Sequence, residues 1–109
     1  MRTKTLWIRD EYLQQILHGH KTVEVRVAYK NVAHLQPGDR LLLNDRHPFE
    51  IRRVGRYATF DELLTCEDPA AIAPDLARAQ LLDTLRTLYP PEKEALGVVA
   101  IEIAPQSPR

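Results

Sequence analysis

The densest group of reactive side chains consists of Lys21, Glu24 and Arg26, which fall within six residues of one another. Residues 23–27 alternate valines with polar residues, which predicts a β-strand with one buried face. On its polar face, Thr22, Glu24 and Arg26 are then spaced by about 7 Å. A guanidinium beside a carboxylate can bind a phosphate or a base edge while the carboxylate orients it. Lys21 precedes the strand on a turn, from which it can reach the same cleft. The alternative is an exposed β-face on which these residues only form salt bridges.

Other reactive groups are too few or too scattered to support common catalytic chemistry. Ser107 is the only serine, which excludes a serine–histidine hydrolase. Cys66 follows an apolar helical pair, a context typical of a buried and unreactive cysteine. The four histidines are divided between a helix end and two loops, so we expect no metal site. The four glycines form no phosphate-binding loop, so we expect no cofactor such as ATP or NAD.

Length, composition and charge narrow the class of protein. A chain of 109 residues with 44% hydrophobic and 28% charged residues is typical of a single globular domain. No segment approaches the roughly 20 apolar residues of a membrane span, and the start lacks a secretory signal. With a single cysteine, we expect a cytoplasmic protein without membrane partners. Residues 1–58 carry a net charge of +5 and residues 59–109 a net charge of −5, so the first half can present a basic face.

The pattern of apolar residues and turn signals predicts short strands interrupted by helices. Strands are predicted at 4–9, 23–27, 41–43, 49–57 and 97–103. Helices are predicted at 11–18, after Thr59, after Asp68 and at about 75–89. Broken alternation within 49–57 predicts a β-bulge, and a flexible tail is expected from about 104. This order lacks regular strand–helix–strand alternation, which favours an α+β fold, a small mixed barrel with helices over its ends.

Three sequence features share the order and spacing of one known family. They are Gly19-x-Lys21-x-x-Glu24-x-Arg26, then Leu35-x-Pro37-Gly38-Asp39, then Tyr89-Pro90 followed by Gly97-Val-Val-Ala-Ile-x-Ile. Together they resemble the ASCH domain family (activating signal cointegrator homology), part of the PUA-like superfamily, over nearly the whole chain. The resemblance implies an α+β fold in which residues 1–109 form a small PUA-like mixed β-barrel of five to six strands with helices packed outside.

The resemblance also implies a site that recognises RNA or a modified nucleotide, in a cleft lined by Lys21, Glu24 and Arg26. The surrounding positive charge would come from Arg9, Lys30, Arg52 and Arg53. Tyr89 and Trp7 are possible stacking residues, although a single tryptophan in a strand more often belongs to the core. A monomer or a weak homodimer is expected, since no coiled-coil pattern is present.

Two enzymatic alternatives accompany this interpretation. One branch of the family hydrolyses N4-acetylcytidine with a lysine, a threonine nucleophile and a glutamate. Lys21 matches the lysine, but Glu24 stands at the threonine position and the glutamate position falls near Pro74, beside Asp75. The other alternative is a ribonuclease in which Lys21 and Glu24 are the catalytic acid and base acting on a 2′-hydroxyl.

Overall fold

Five strands and five helices make up the computed structural model, which describes residues 2–106. The strands are β1 (Thr3–Leu6), β2 (Val23–Val27), β3 (Arg40–Leu43), β4 (His47–Tyr57) and β5 (Val98–Pro105). The helices are α1 (Asp10–Leu17), α2 (Phe60–Cys66), α3 (Pro69–Ile72), α4 (Arg78–Leu88) and α5 (Pro91–Glu94). No helix in this part of the chain is long and apolar enough to cross a membrane. The α+β class predicted from the sequence is confirmed.

The strands form one mixed sheet in the order β1-β3-β4-β5-β2. Only β1 and β3 are parallel, and the other neighbours are antiparallel. The sheet curls into a half-barrel that fits a PUA-like fold. Within residues 2–106, however, β1 and β2 are the two edges and do not pair with each other. The expected closed barrel is therefore open along the gap between residues 7–9, which follow β1, and β2. We call this gap the seam.

The core is divided between the two faces of the sheet. One cluster packs against α1 and the other against α2, α3 and α4. Strand β5 contributes to both, because Val99 and Ile101 enter the first cluster whereas Val98 and Ala100 enter the second. A strand covered on both faces explains why this segment is continuously apolar rather than alternating.

Local patterns in the sequence correctly predicted the starts of two helices and a bulge in β4. The Thr59 hydroxyl accepts a hydrogen bond from the Glu62 amide at 3.1 Å, and the Asp68 carboxylate accepts one from the Ala70 amide at 3.0 Å. These are the helix caps predicted for α2 and α3. The bulge predicted in β4 is present, since the register with β5 shifts between Ile51 and Arg53.

Four elements differ from the prediction. Helix α4 begins at Arg78 rather than about 75, because the Gln80 side chain accepts a hydrogen bond from the Ala77 amide at 2.9 Å and caps the helix there. Helix α5 was not predicted; Pro91 occupies its first turn, where a missing amide proton has no cost.

Strand β1 ends at Leu6, three residues earlier than expected. Strand β5 continues through Pro105, past the expected start of the tail, and residues 107–109 lie outside the described part.

Candidate functional site

A cavity of about 240 Å³ opens at the seam, between β2 and α4. Residues 7–9 and Tyr12 of α1 border it on the β1 side. Most of its wall is apolar, contributed by the end of α3, the turn after it and α4: Ile72, Ala73, Leu76, Leu81, Leu85 and Leu88. Because such walls exclude water, polar groups inside the cavity interact more strongly than they would on the surface.

Lys21 is buried at the base of the cavity, with only 5% of its side chain exposed. Its ammonium donates to the carbonyls of Val23 and Ile72, each at 2.7 Å, and lies 3.2 Å from Glu24 Oε1. These three acceptors match the three donors of a lysine ammonium. Lys21 therefore joins the start of β2 to the end of α3 and holds the Glu24 carboxylate in place.

Glu24 and Arg26 form the polar floor of the cavity. Arg26 Nε donates to Glu24 Oε2 at 2.7 Å, and the two side chains are 23% and 13% exposed, respectively. They are opposite Val99 and Ile101 in the β2–β5 ladder, so they lie on the same sheet face as the first core cluster. The predicted pairing of these residues is present, but the pair is half-buried rather than on a solvated β-face.

Arg26 also bridges the seam. Its Nη2 donates to the carbonyl of Trp7 at 2.9 Å, where a closed barrel would have a strand-to-strand ladder. Within residues 2–106, the Arg26 Nη1 donors have no protein acceptor. A guanidinium fixed through Nε and Nη2 and open at Nη1 is preorganised to bind an acceptor atom in the cavity.

Aromatic side chains form the rim. Trp7 is 68% exposed, so the expectation that it belongs to the core is wrong. Its neighbours Leu6 and Ile8 are buried, and the alternation of an extended segment turns Trp7 outward. Tyr89, which the sequence analysis named as a ligand-binding residue, follows the end of α4 and lines the cavity, and burial raises the pKa of its hydroxyl. Arg26 lowers that pKa, whereas Glu24 and Tyr29 raise it further.

The other residues singled out in the sequence lie in different places. Arg9 lines the cavity with a 72% exposed side chain that approaches Glu11 at 3.5 Å. Lys30 is exposed beyond the end of β2, and Arg52 pairs with Glu50 at 3.4 Å on β4; neither lines the cavity. Three further residues named in the sequence analysis are exposed and do not line it either: Thr22, Cys66 and Asp75. The expectation of a buried Cys66 is therefore wrong.

Arg53 belongs to a separate network around the buried carboxylate of Glu67, which the sequence did not reveal. Its guanidinium donates to both oxygens of Glu67, at 2.9 and 2.6 Å, and the Tyr57 hydroxyl donates to Glu67 Oε2 at 2.5 Å. Arg53 also bonds to Glu102 at 3.1 Å. A Cβ on Gly55 would lie 2.7 Å from Glu67 Oε2, so only glycine leaves room for this carboxylate. A glycine inside a strand was the available signal of this close approach.

Charges within the network shift its pKa values in opposite directions. The Arg53 guanidinium lowers the pKa of Glu67, against the raising effect of burial. The same hydrogen bonds raise the pKa of Arg53, and the bond to Glu67 raises the pKa of Tyr57. Since Arg53 is paired with two acidic residues from the second half of the chain, part of the positive charge predicted for the first half is neutralised locally.

The Glu67→Gln variant should unfold more easily at neutral pH, by about 2 kcal/mol, because the Arg53 guanidinium loses its charged partner. The folded pKa of Glu67 lies below the unfolded value of 4.5, so its stabilisation is complete above that value and declines as pH falls through the folded pKa. The difference in unfolding free energy between the two proteins, measured with urea from about pH 6 to about pH 3, should therefore shrink as pH falls. A constant difference over that range would contradict this role.

Comparison with known proteins places the chain in a family. The ASCH domain model matches residues 6–107, nearly the whole chain. The chain belongs to the ASCH domain family. Members of this family are generally regarded as RNA-binding. Comparison with curated proteins gave no match to this ASCH domain.

Two solved structures are similar to this ASCH domain. The crystal structure of hypothetical protein PH0355 is 27% identical, with a TM-score of 0.89 over 97% of this chain and 100% of that chain. The solution NMR structure of protein PF0455 from Pyrococcus furiosus is 26% identical, with a TM-score of 0.79 over 99% of this chain and 100% of that chain. The similarity extends over the complete lengths of both neighbours, which supports the α+β architecture described above.

Proposed function

We propose that this ASCH domain recognises RNA by binding one unpaired base in the cavity at the seam. The supporting observation is the half-buried Glu24–Arg26 pair at the floor of an otherwise apolar cavity. A nucleobase requires this combination, since its flat faces are apolar and its edge carries hydrogen-bond donors and acceptors. Unpaired bases are the usual targets of sequence-specific RNA-binding proteins.

The floor can satisfy both kinds of group on a base edge. The Nη1 donors of Arg26 can bind a ring nitrogen or a carbonyl oxygen of the base. The Glu24 carboxylate, which accepts only, can bind an amino or imino hydrogen beside it. With Lys21 included, the three side chains carry a formal net charge of +1, which also favours a ligand that contains phosphate.

The size of the cavity limits the ligand. At about 240 Å³ it is smaller than the roughly 300–1,000 Å³ of cavities that hold drug-sized molecules. One base with its ribose is therefore a better match than a dinucleotide cofactor. A modified nucleotide would occupy the same space and is part of this proposal.

The amidohydrolase and ribonuclease alternatives stay predictions that the geometry does not favour over binding. The ribonuclease requires Lys21 to exchange a proton with the substrate, and all three donors of the Lys21 ammonium are already engaged by protein acceptors. Asp75, the acid nearest to the missing glutamate position, is exposed and does not line the cavity. We therefore assign Lys21 the role of positioning Glu24.

Fluorescence anisotropy with a single-stranded RNA and with a tRNA, at two salt concentrations, tests the proposed function. We expect micromolar binding that weakens as salt increases, with a logarithmic slope of about −0.7 for each phosphate contacted. A few contacts at most are expected, because Arg52 and Arg53 are paired with acidic residues. Absence of binding to both RNAs at low salt would contradict the proposal. Free nucleosides would then be the next ligands to test.

A further inference from the structure

We infer that the occupant of the cavity is one base of a continuous single strand of RNA, whose neighbouring bases stack on Trp7 on one side and on Tyr29 on the other. This inference rests on the proposed function and extends it, because a free nucleoside would use the cavity alone. Two exposed aromatic rings beside the cavity, each accompanied by cationic side chains, support it.

Trp7 is presented as a rigid platform. Its side chain is 68% exposed, yet the backbone on both sides of the ring is fixed. Arg26 donates to the Trp7 carbonyl, and the Asn44 amide group bonds to both the amide and the carbonyl of Ile8, at 2.6 and 2.9 Å. An exposed aromatic ring on an immobile backbone loses little entropy when a base stacks on it, and the fold derives no packing benefit from leaving it exposed.

Arg9 supplies the charge on this side. It lies two residues after Trp7 on the border of the same cavity, and its side chain is 72% exposed. Its contact with Glu11 is a surface pair at 3.5 Å, which contributes little stability and is easily exchanged for a phosphate. A stacking ring with a mobile arginine beside it is the arrangement by which proteins bind a single strand without reading each base.

Tyr29 provides the corresponding platform on the α5 side. The residue is 37% exposed, and Lys93 Nζ lies 5.6 Å from the centre of its ring. Tyr29 lies three residues after Arg26 of the cavity floor, just beyond the end of β2, and Lys93 belongs to α5, the helix that follows Tyr89 of the cavity wall. Lys30 follows Tyr29 directly and is exposed. Tyr29 thus continues the aromatic surface outward from the cavity, with two lysines available for the phosphates of the strand.

The order of these groups favours RNA over a protein partner. Each exposed ring is accompanied by a cation, Arg9 on the Trp7 side and Lys93 over the ring of Tyr29. Alternating π-faces and positive charges complement the alternating bases and phosphates of a single strand. A purely apolar docking face for a protein would lack this pattern.

A length series of ligands tests the inference. The probes are the four nucleoside 5′-monophosphates and the four pentanucleotides of a single base, titrated against the full chain by calorimetry. The pentanucleotide that binds best should bind at least about 10-fold more tightly than its monophosphate, since two stacked bases at about 1–3 kcal/mol each together exceed the roughly 1.4 kcal/mol that a 10-fold change requires. Because Trp7 also borders the cavity, the test is the difference between the ligands: Trp7→Ala should weaken the pentanucleotide about 10-fold more than the monophosphate, whereas Trp7→Phe should retain most of the affinity. Tyr29→Ala should likewise weaken the binding of the pentanucleotide more than that of the monophosphate.

The control variant is Leu17→Ala, which removes an exposed apolar side chain, 41% exposed, that does not line the cavity. It should leave both affinities unchanged. Equal affinity for pentanucleotide and monophosphate, or an equal loss of both in Trp7→Ala, would overturn the single-strand inference while leaving the base site in place. Failure of all eight probes to bind would instead contradict the proposed function itself.

Discussion

Replacing Arg26 by alanine is expected to weaken RNA binding by roughly 10- to 100-fold, the largest loss of affinity among single substitutions at the cavity. The variant loses the Nη1 donors to which we assign the base contact and the bond from Nη2 to the Trp7 carbonyl, so both the proposed contact and the position of the rim are affected. Glu24 also loses a partner at 2.7 Å. Because Arg26 is partly exposed, the protein should still fold cooperatively, which circular dichroism and urea unfolding would verify.

Arg52→Ala is the matched control for this prediction. It removes the same charge from an exposed arginine that pairs with Glu50 at 3.4 Å and does not line the cavity. If binding depended only on net charge, the two variants would lose the same affinity. Equal losses, or unchanged affinity in Arg26→Ala, would contradict a base site at the seam.

The Lys21→Met variant is expected to lose about 3 kcal/mol of unfolding free energy, the largest effect on stability that we predict. Methionine has a similar length but no donors, so the carbonyls of Val23 and Ile72 would be left buried without partners. Glu24 would also lose one of its two cations. Urea unfolding measures this loss: if the dependence of the unfolding free energy on urea concentration is unchanged, the shift of the midpoint reports the lost stability.

Lys30→Met is the control for Lys21→Met, because Lys30 is exposed. Its unfolding free energy should remain within about 0.5 kcal/mol of the original protein. A similarly small effect at Lys21 would show that the buried ammonium does not hold β2 and α3 together. Lys21 would then be available for proton transfer, and the enzymatic alternatives would gain support.

The elements that the sequence predicted best depend on local chemistry. The caps of α2 and α3 involve residues two or three positions apart, and the bulge in β4 follows from broken alternation within one strand. The elements predicted poorly depend on remote partners. The barrel was expected to close, but whether β1 and β2 meet depends on the curvature of the whole sheet rather than on either strand.

In the candidate site, too, the features set by neighbouring residues were predictable and those set by remote partners were not. Spacing alone predicted that Glu24 and Arg26 would lie together, because residues two apart share a face of a strand. The burial of Lys21 could not be predicted, since one of its acceptors is the Ile72 carbonyl, 51 residues away. Trp7 is exposed because Leu6 and Ile8 on either side of it are buried and an extended segment alternates between its two faces, whereas the apolar character of a single tryptophan favoured the core. Arg53 resembled a ligand-binding arginine until its partner Glu67 was placed beside it.

The open seam links the fold to the proposed activity. A closed barrel would fill the gap between residues 7–9 and β2 with backbone hydrogen bonds and leave no cavity there. In this ASCH domain the Arg26 side chain bridges the gap through its bond to the Trp7 carbonyl and also lines the cavity. The same arginine therefore supports the architecture and contacts the ligand in our account.

An NMR titration of the ¹⁵N-labelled protein with the pentanucleotide that binds best tests the central claim most directly. Our account predicts that the Trp7 indole N–H, the Arg26 Nε–H and the amide of Tyr89 shift together and saturate at one equivalent. Signals of Arg52 and Arg53 should remain in place. Shifts centred on Arg52 and Arg53, with Trp7 and Arg26 unchanged, would contradict a site at the seam and place RNA on the surface of β4 instead.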